Sequence, residues 1–189
     1  MNKTNYKKGN TKFDKGFTIV ETLVAITILM IAIAGPLSIA SKSLNSALYS
    51  KDQMTASYLA QEGMELVRNL KDNAVATGAN GFTTLFATQG IGMRVCQIAQ
   101  NSHCSIYISD ATGPVATYSI CGANCLLYSS DTIGYVNVSG SNPSIFSRYF
   151  YVEEVVPSKE YRVTVVVTWS KGTLSNDVTI SSEMTDAAL

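Results

Sequence analysis

The sequence predicts an α+β chain in which a long N-terminal helix, transmembrane in its first half, packs on a C-terminal antiparallel β-sheet. Residues 17–40 are apolar with a single charge, and residues 41–73 contain helix-forming residues and no proline. After residue 74, Gly, Ser, Thr and β-branched residues dominate in short runs separated by turn signals. The charged fraction of 15% is below the roughly 25% of soluble domains, which fits a membrane segment.

The first element is a basic leader, residues 1–16. It contains five lysines and one acidic residue, Asp14, a net charge of +4, whereas the rest of the chain has nine basic and 13 acidic residues, a net charge of −4. By the positive-inside rule we expect a single-pass protein with a cytoplasmic leader and residues beyond about 41 outside the membrane. The overall charge of zero gives no support to a nucleic-acid partner.

Three interpretations of the apolar run, residues 17–40, compete. A secretory signal cut after Ala34 would release a soluble protein, since Ala32 and Ala34 have the small-x-small form of a cleavage site. An uncleaved signal anchor is the second interpretation. Neither explains Glu21, because a carboxylate inside an apolar helix costs roughly 2.5–3.5 kcal/mol on insertion scales.

The third interpretation rests on residues 15–23, Lys-Gly-Phe-Thr-Ile-Val-Glu-Thr-Leu. This segment resembles the processing motif of type IV prepilins and type II secretion pseudopilins, in which a basic leader ends in Gly and the mature chain begins with Phe and has Glu fifth. The resemblance implies cleavage between Gly16 and Phe17 by a prepilin peptidase and N-methylation of Phe17. It also implies that Glu21 pairs with the amine of a neighbouring subunit, and that other pilin or pseudopilin subunits and an inner-membrane assembly platform are partners.

Gly35 and Pro36 interrupt the apolar run. Proline removes the hydrogen bond to the carbonyl of Ala32 and clashes with that turn, so the sequence predicts a kink or local melting. Pilins of the resembled family often carry a proline at a similar depth. An incidental kink is the alternative, because membrane helices tolerate proline.

The helix is expected to continue through residues 41–73. Five residues recur at helical spacing and predict a packing stripe: Ala56, Leu59, Gly63, Leu66 and Leu70. The polar residues between Gln61 and Asp72 are expected on a solvated or subunit-facing surface. Residues 58–69 resemble the same helix in minor pilins of the type IV pilus modification group and in I-type minor pseudopilins, which favours a minor subunit.

The C-terminal domain, residues 74–189, is predicted to be mainly β. The candidate strands are 105–109, 115–120, 134–138, 145–156, 160–170 and 174–182. In 160–170, Val163, Val165, Val167 and Trp169 fall on one face of a strand and predict the core face, whereas the other face is mostly polar. Residues 171–173 predict a hairpin turn. Residues 146–149 and 161–169 resemble the terminal strands of the same minor pilin group, although residues 183–189 lack its Leu-rich, Trp-containing end.

Four cysteines lie in the exported part, where oxidation is permitted. They allow three connectivities, and short loops favour Cys96 with Cys104 and Cys121 with Cys125. A zinc site that uses these thiolates and His103 is the alternative, but one tight Cys-x-x-x-Cys pair is fewer than zinc sites usually have. Disulfides are therefore favoured, and no metal or other cofactor is expected.

Catalytic motifs are missing from the sequence. It contains no Gly-rich phosphate loop, no His-Glu-x-x-His and no Gly-x-Ser-x-Gly. The sole histidine, His103, lies between Ser102 and Cys104 in a predicted disulfide loop, and the adjacent Glu153 and Glu154 must point to opposite faces of a strand. We do not expect an enzyme.

The sequence thus predicts a structural, minor subunit of a type IV pilus or pseudopilus, with a leader at 1–16, a long helix at 17–73 and a β-rich exported domain at 74–189. The sequence does not separate a cell-surface pilus from a periplasmic pseudopilus of type II secretion. The alternatives are an adhesive tip and a membrane-tethered or secreted β domain that binds a ligand and does not polymerise.

Overall fold

The computed structural model describes residues 16–76, 78, 81–86, 92–97, 103–109, 115–122, 125–130, 134–137 and 142–186. The predicted leader, apart from Gly16, lies outside the described residues. The helices are α1 (Ile19–Ala76), α2 (Gly81–Phe86) and a 3-10 turn (Met93–Cys96). The strands are β1 (Cys104–Ser109), β2 (Val115–Ile120), β3 (Leu126–Ser130), β4 (Gly134–Val136), β5 (Asn142–Val156), β6 (Glu160–Lys171) and β7 (Leu174–Thr185). The predicted α+β layout is confirmed.

The chain divides into two compact units, Met1–Leu48 and Tyr49–Leu189. In its described part, the first unit is the N-terminal portion of α1 and the three residues before it. The second unit, here called the head unit, contains the rest of α1 and every strand.

The head unit is built on an antiparallel sheet whose central strand is β5. One edge of β5 pairs with β6 from Phe146 to Val156, and β6 pairs in turn with β7 over its whole length. Two strands share the other edge of β5. Strand β3 pairs with its first part, Asn142–Ser147, and β1 pairs further along it, at Phe150. Strand β2 pairs with β1, and β4 pairs with β3.

Each of the six predicted strands has a counterpart, and within the described ranges one further strand was missed. The missed strand is β3, five residues that begin directly after Cys125. It is too short to show a clear period of two. Strand β5 also begins earlier than predicted, at Asn142, because Pro143 is accommodated near the strand end opposite Tyr128.

The core lies between the sheet and one face of α1. The face of β6 that carries Val163, Val165, Val167 and Trp169 is buried, as predicted. The helix buries Ala56, Leu59, Ala60, Gly63, Met64 and Val67. Leu66 and Leu70, which were predicted to belong to the stripe, are half-buried and pack against its border. The stripe is thus rotated towards Ala60, Met64 and Val67.

Candidate assembly site at the N-terminus

Helix α1 begins with a side-chain cap. Thr18 precedes the first helical residue, and the backbone N–H of Glu21 donates to Thr18 Oγ1 at 3.3 Å. Thr18-x-x-Glu21 has the spacing of a capping box, in which the threonine satisfies an N–H that the helix leaves without a partner. This role of Thr18 was not predicted, although its spacing to Glu21 is readable in the sequence. Gly16 and Phe17 therefore lie just before a defined helix start.

Glu21 lies in the first turn of α1 and is exposed. Among the described residues, no group donates a hydrogen bond to its carboxylate or forms an ion pair with it. Its neighbours along the helix are apolar, and Phe17, Ile19, Val20 and Leu23 are each more than 60% exposed. The turn therefore presents one carboxylate within an apolar surface, available to a cationic group of another molecule.

The apolar surface continues along the first unit. The large side chains between Leu23 and Leu44 are exposed by half or more of their area. Within the described residues, α1 is the one helix long and apolar enough to cross a membrane. These side chains have no protein core to enter, so the hydrophobic effect favours lipid or another helix around them.

The structure places Gly35 and Pro36 inside α1. The helix continues without interruption through Pro36, so the local melting predicted there as one possibility is not observed. A Cβ added at Gly35 would meet nothing within 4 Å. This glycine is therefore not required by packing within the chain.

In the head unit, a buried arginine joins α1 to the sheet. Arg148 on β5 is 1% exposed. Its Nη1 donates to Leu59 O at 3.1 Å and to Glu62 Oε2 at 2.8 Å, and its Nη2 donates to Ile106 O at 3.0 Å. Burial lowers the pKa of the guanidinium, and the charge of Glu62 opposes that change. Glu62, expected on a solvated surface, is thus a counter-ion of the core.

The four cysteines form two disulfides, Cys96–Cys104 and Cys121–Cys125, with Cα–Cα distances of 5.5 and 5.1 Å. These are the pairs with short loops. No thiol is then available as a metal ligand, and the described residues contain no cluster of three or more potential ligands. The ring of His103 packs on Tyr149 with centroids 4.2 Å apart.

The carboxylates considered for catalysis have different surroundings. Glu154 Oε1 accepts from Ser158 N–H at 2.8 Å and from the hydroxyl of Tyr161 at 2.9 Å. These two bonds lower the pKa of Glu154, whereas burial and the nearby carboxylate raise the pKa of Tyr161 to about 12. Glu153 instead lies opposite Arg162 on the neighbouring strand. Glu154 therefore stabilises the β5–β6 turn, and its carboxylate does not form a pair with that of Glu153.

A comparison with protein families gives a finding about the N-terminal part of the chain. Residues 11–35 match the prokaryotic N-terminal methylation motif. The chain carries a prepilin-type signal. This is the signal of type IV pilins and pseudopilins, which are structural subunits, and the match supports a protein of that family. The motif implies processing by prepilin peptidase and assembly with other pilins. No curated protein and no solved structure matches the chain significantly.

Proposed function

We propose that this chain is a minor structural subunit of a type IV pilus or pseudopilus. Residues 1–16 are its cytoplasmic leader, residues 17–40 span the membrane within the long helix 17–73, and residues 74–189 form the exported domain. In its assembled form the subunit lies in a cell-surface pilus or a periplasmic pseudopilus. The observation that carries this proposal is a prepilin-type signal at residues 11–35 that leads into an exposed, membrane-length helix.

Processing would prepare the helix for assembly. Prepilin peptidase hydrolyses the Gly16–Phe17 peptide bond with one water molecule, which leaves a carboxylate on the leader and an amine on Phe17. This amine would then take a methyl group from a methyl-donor cosubstrate and lose a proton. The lysines of the leader hold the cut site on the cytoplasmic side. The apolar helix stays with the mature chain, since the cut removes only the residues before it.

Glu21 would then set the register between subunits. An ionisable group at membrane depth needs a partner or must be neutral. The carboxylate has none among the described residues, and the amine of Phe17 on a neighbouring subunit, at a similar depth, supplies the opposite charge. Inner-membrane platform proteins would bring the subunits together. The chain acts as a building block and not as an enzyme.

The mass of the mature protein tests processing. We would express the full chain with and without a prepilin peptidase and fragment its N-terminus in a mass spectrometer. A chain that begins with methylated Phe17 supports the proposal. A chain that begins at Gly35 would indicate a secreted β protein, and an intact Met1 in the presence of the peptidase would indicate a simple tether; either result refutes the proposal.

Incorporation into filaments tests the role of Glu21. Glu21→Ala should leave cleavage intact and strongly reduce the amount of the subunit in sheared filaments. Thr27→Ala is the matched control, because Thr27 is another polar residue of the apolar run and its hydroxyl donates only to Val24 O within the helix. Equal incorporation of both variants would exclude assembly through Glu21.

A further inference from the structure

The two disulfides of the head unit differ in their exposure to solvent. Cys96 and Cys104 are both 0% exposed and belong to the larger core cluster. In the other disulfide, Cys125 is 1% exposed, whereas Cys121 is half-buried. Reduction of a disulfide begins when a thiolate attacks one of its sulfur atoms, so that sulfur must be accessible. In the folded head unit, Cys121 is therefore the cysteine best placed for such an attack.

Cys121 lies at an edge of the sheet. It directly follows β2, and in the described part of the chain β2 is an edge strand that pairs only with β1. Its neighbours in the sequence are both exposed: Ile120 is 60% exposed, and a Cβ added at Gly122 would meet nothing within 4 Å. An attacking protein that approaches this edge finds an aliphatic side chain beside the disulfide. An attack on Cys104, by contrast, requires the core to open.

Backbone hydrogen bonds hold both cysteines of this pair independently of the bond between their sulfur atoms. The N–H of Cys121 donates to His103 O at 2.9 Å, and the N–H of Arg148 donates to Cys125 O at 3.0 Å. The first bond ties Cys121 to the residue before β1, and the second ties Cys125 to β5. After reduction the two thiols would stay close together. Because they are already positioned, the disulfide can form again without a conformational search.

Two carbonyl oxygens lie next to the sulfur atoms of this disulfide. Cys121 Sγ is 3.4 Å from His103 O, and Cys125 Sγ is 3.6 Å from Gly122 O. A thiol is a weak hydrogen-bond donor, so each S–H of the reduced pair would have an acceptor within reach. Reduction would thus not leave a buried donor without a partner.

We propose that Cys121–Cys125 is a thiol–disulfide exchange site, which an exported dithiol protein reduces, and its disulfide form re-oxidises, while the head unit stays folded. In the reduction, a thiolate of the partner attacks Cys121 Sγ, the sulfur–sulfur bond breaks, and Cys125 leaves as a thiolate that takes up a proton. The second thiol of the partner loses its proton and attacks the partner's own sulfur in the mixed disulfide, which releases Cys121. Overall, two electrons and two protons pass from the dithiol to the disulfide.

The exchange site goes beyond the proposed function and does not depend on it, because it uses only contacts within the head unit. It gives the subunit one disulfide that can open and close after folding. The other disulfide, Cys96–Cys104, is enclosed by the core and takes no part in the exchange.

Partial reduction of the full chain in detergent tests the difference between the two disulfides. We would treat the oxidised protein with dithiothreitol, block free thiols with iodoacetamide at set times, and quantify each alkylated cysteine by mass spectrometry. Cys121 and Cys125 should become alkylated about a hundredfold faster than Cys96 and Cys104, because exchange at the enclosed disulfide needs an opening of the core. The fluorescence of Trp169, which is 3% exposed, should not change during the fast reaction.

A trapping experiment identifies the sulfur that is attacked. A thioredoxin-type protein whose second active-site cysteine is replaced by serine cannot resolve a mixed disulfide, so it stays attached to the sulfur that it attacked. We expect this adduct on Cys121.

Two single variants are matched controls for the trapping experiment. Cys125→Ser leaves the thiol of Cys121, which should react with oxidised glutathione in the folded protein. Cys121→Ser leaves the buried thiol of Cys125, which should not react until the protein is unfolded.

Concentrated urea supplies the reference state for the reduction experiment. There the two disulfides should be reduced at similar rates, because the fold no longer protects Cys96–Cys104. Any of four results would overturn the inference: similar rates in the folded protein, a rate difference that persists in urea, a trapped adduct absent from Cys121, or a change in Trp169 fluorescence that accompanies reduction of Cys121–Cys125.

Discussion

The ion pair between Arg148 and Glu62 leads to a prediction about stability. Judged by exposure alone, substitution of Arg148 would be expected to destabilise the head unit more than substitution of Glu62. Arg148 is 1% exposed, whereas the side chain of Glu62 is 45% exposed. We nevertheless expect Glu62→Ala to destabilise the head unit more than Arg148→Met. The reason is that the two substitutions leave different groups without partners.

Removal of Glu62 leaves a guanidinium in the core without its counter-ion. Breaking a buried pair in this way costs about 3–5 kcal/mol, and we take about 3 because half of Glu62 is already in water. Arg148→Met instead removes the buried charge and lets Glu62 return to solvent. The carbonyl oxygens of Leu59 and Ile106 lose the hydrogen bond from Arg148, but both residues belong to regular elements. We therefore expect the free energy of unfolding to fall by about 1–2 kcal/mol.

The assay is urea denaturation of the full chain in detergent, followed by the fluorescence of Trp169. This residue is the sole tryptophan and is 3% exposed within the core, so it reports on the head unit. The double variant should resemble Arg148→Met alone, because Glu62 has no buried charge to neutralise once the arginine is gone. If Arg148→Met costs at least as much as Glu62→Ala, or if the two losses add, the reasoning is wrong.

Three further predictions concern other parts of the head unit. The pKa of Tyr161 is about 12 in the folded chain and about 10 when unfolded, so stability should be full below pH 10 and decline between pH 10 and 12. Tyr161→Phe should reduce that decline in urea titrations at each pH, and a smaller decline should remain because burial also raises the pKa of Tyr118 and of Tyr149. An unchanged decline would assign it to groups other than Tyr161. Replacing both cysteines of Cys96–Cys104 should lower the free energy of unfolding by about 2.5 kcal/mol, and replacing both cysteines of Cys121–Cys125 should lower it by about 2 kcal/mol. The first loss is larger because that disulfide spans 8 residues and the second spans 4, and a longer loop removes more entropy from the unfolded chain. A larger loss for the second pair, measured by thermal unfolding, would contradict this ranking. Gly63→Ala should destabilise by about 1 kcal/mol, because its Cβ would lie 3.0 Å from Val165 Cγ1 and overpacking exceeds the gain in helix propensity. A higher midpoint of unfolding would instead mean that Val165 can shift.

The parts of the fold that the sequence predicted are those governed by local patterns. The alternation around Val163 and Val165 depends on neighbours two residues away, and the processing motif around Glu21 is contiguous. Arg148 is a different case. The alternation along β5 places it on the buried face with Phe146 and Phe150, but the partner that allows a charge there, Glu62, lies 86 residues away. A local pattern does not identify that partner.

The helix stripe illustrates an intermediate case. Spacing correctly indicated that Ala56, Leu59 and Gly63 face the sheet, but it included Leu66 and Leu70 and left out Met64 and Val67. The helix approaches Arg148 and Val165 closely at Gly63. Helical periodicity predicts that a face exists, whereas the shape of the partner surface determines which residues form its centre.

The shared edge of β5 has a consequence for the order in which the protein matures. Both flanking groups of strands and the buried arginine depend on β5, which begins at Asn142. If the part of the chain after residue 40 is exported in sequence order, as the proposed function requires, β1–β4 and both cysteine pairs leave the cytoplasm before β5 does. We then expect the short disulfide loops to close first, while the sheet and its contact with α1 form only after β5, β6 and β7 have emerged.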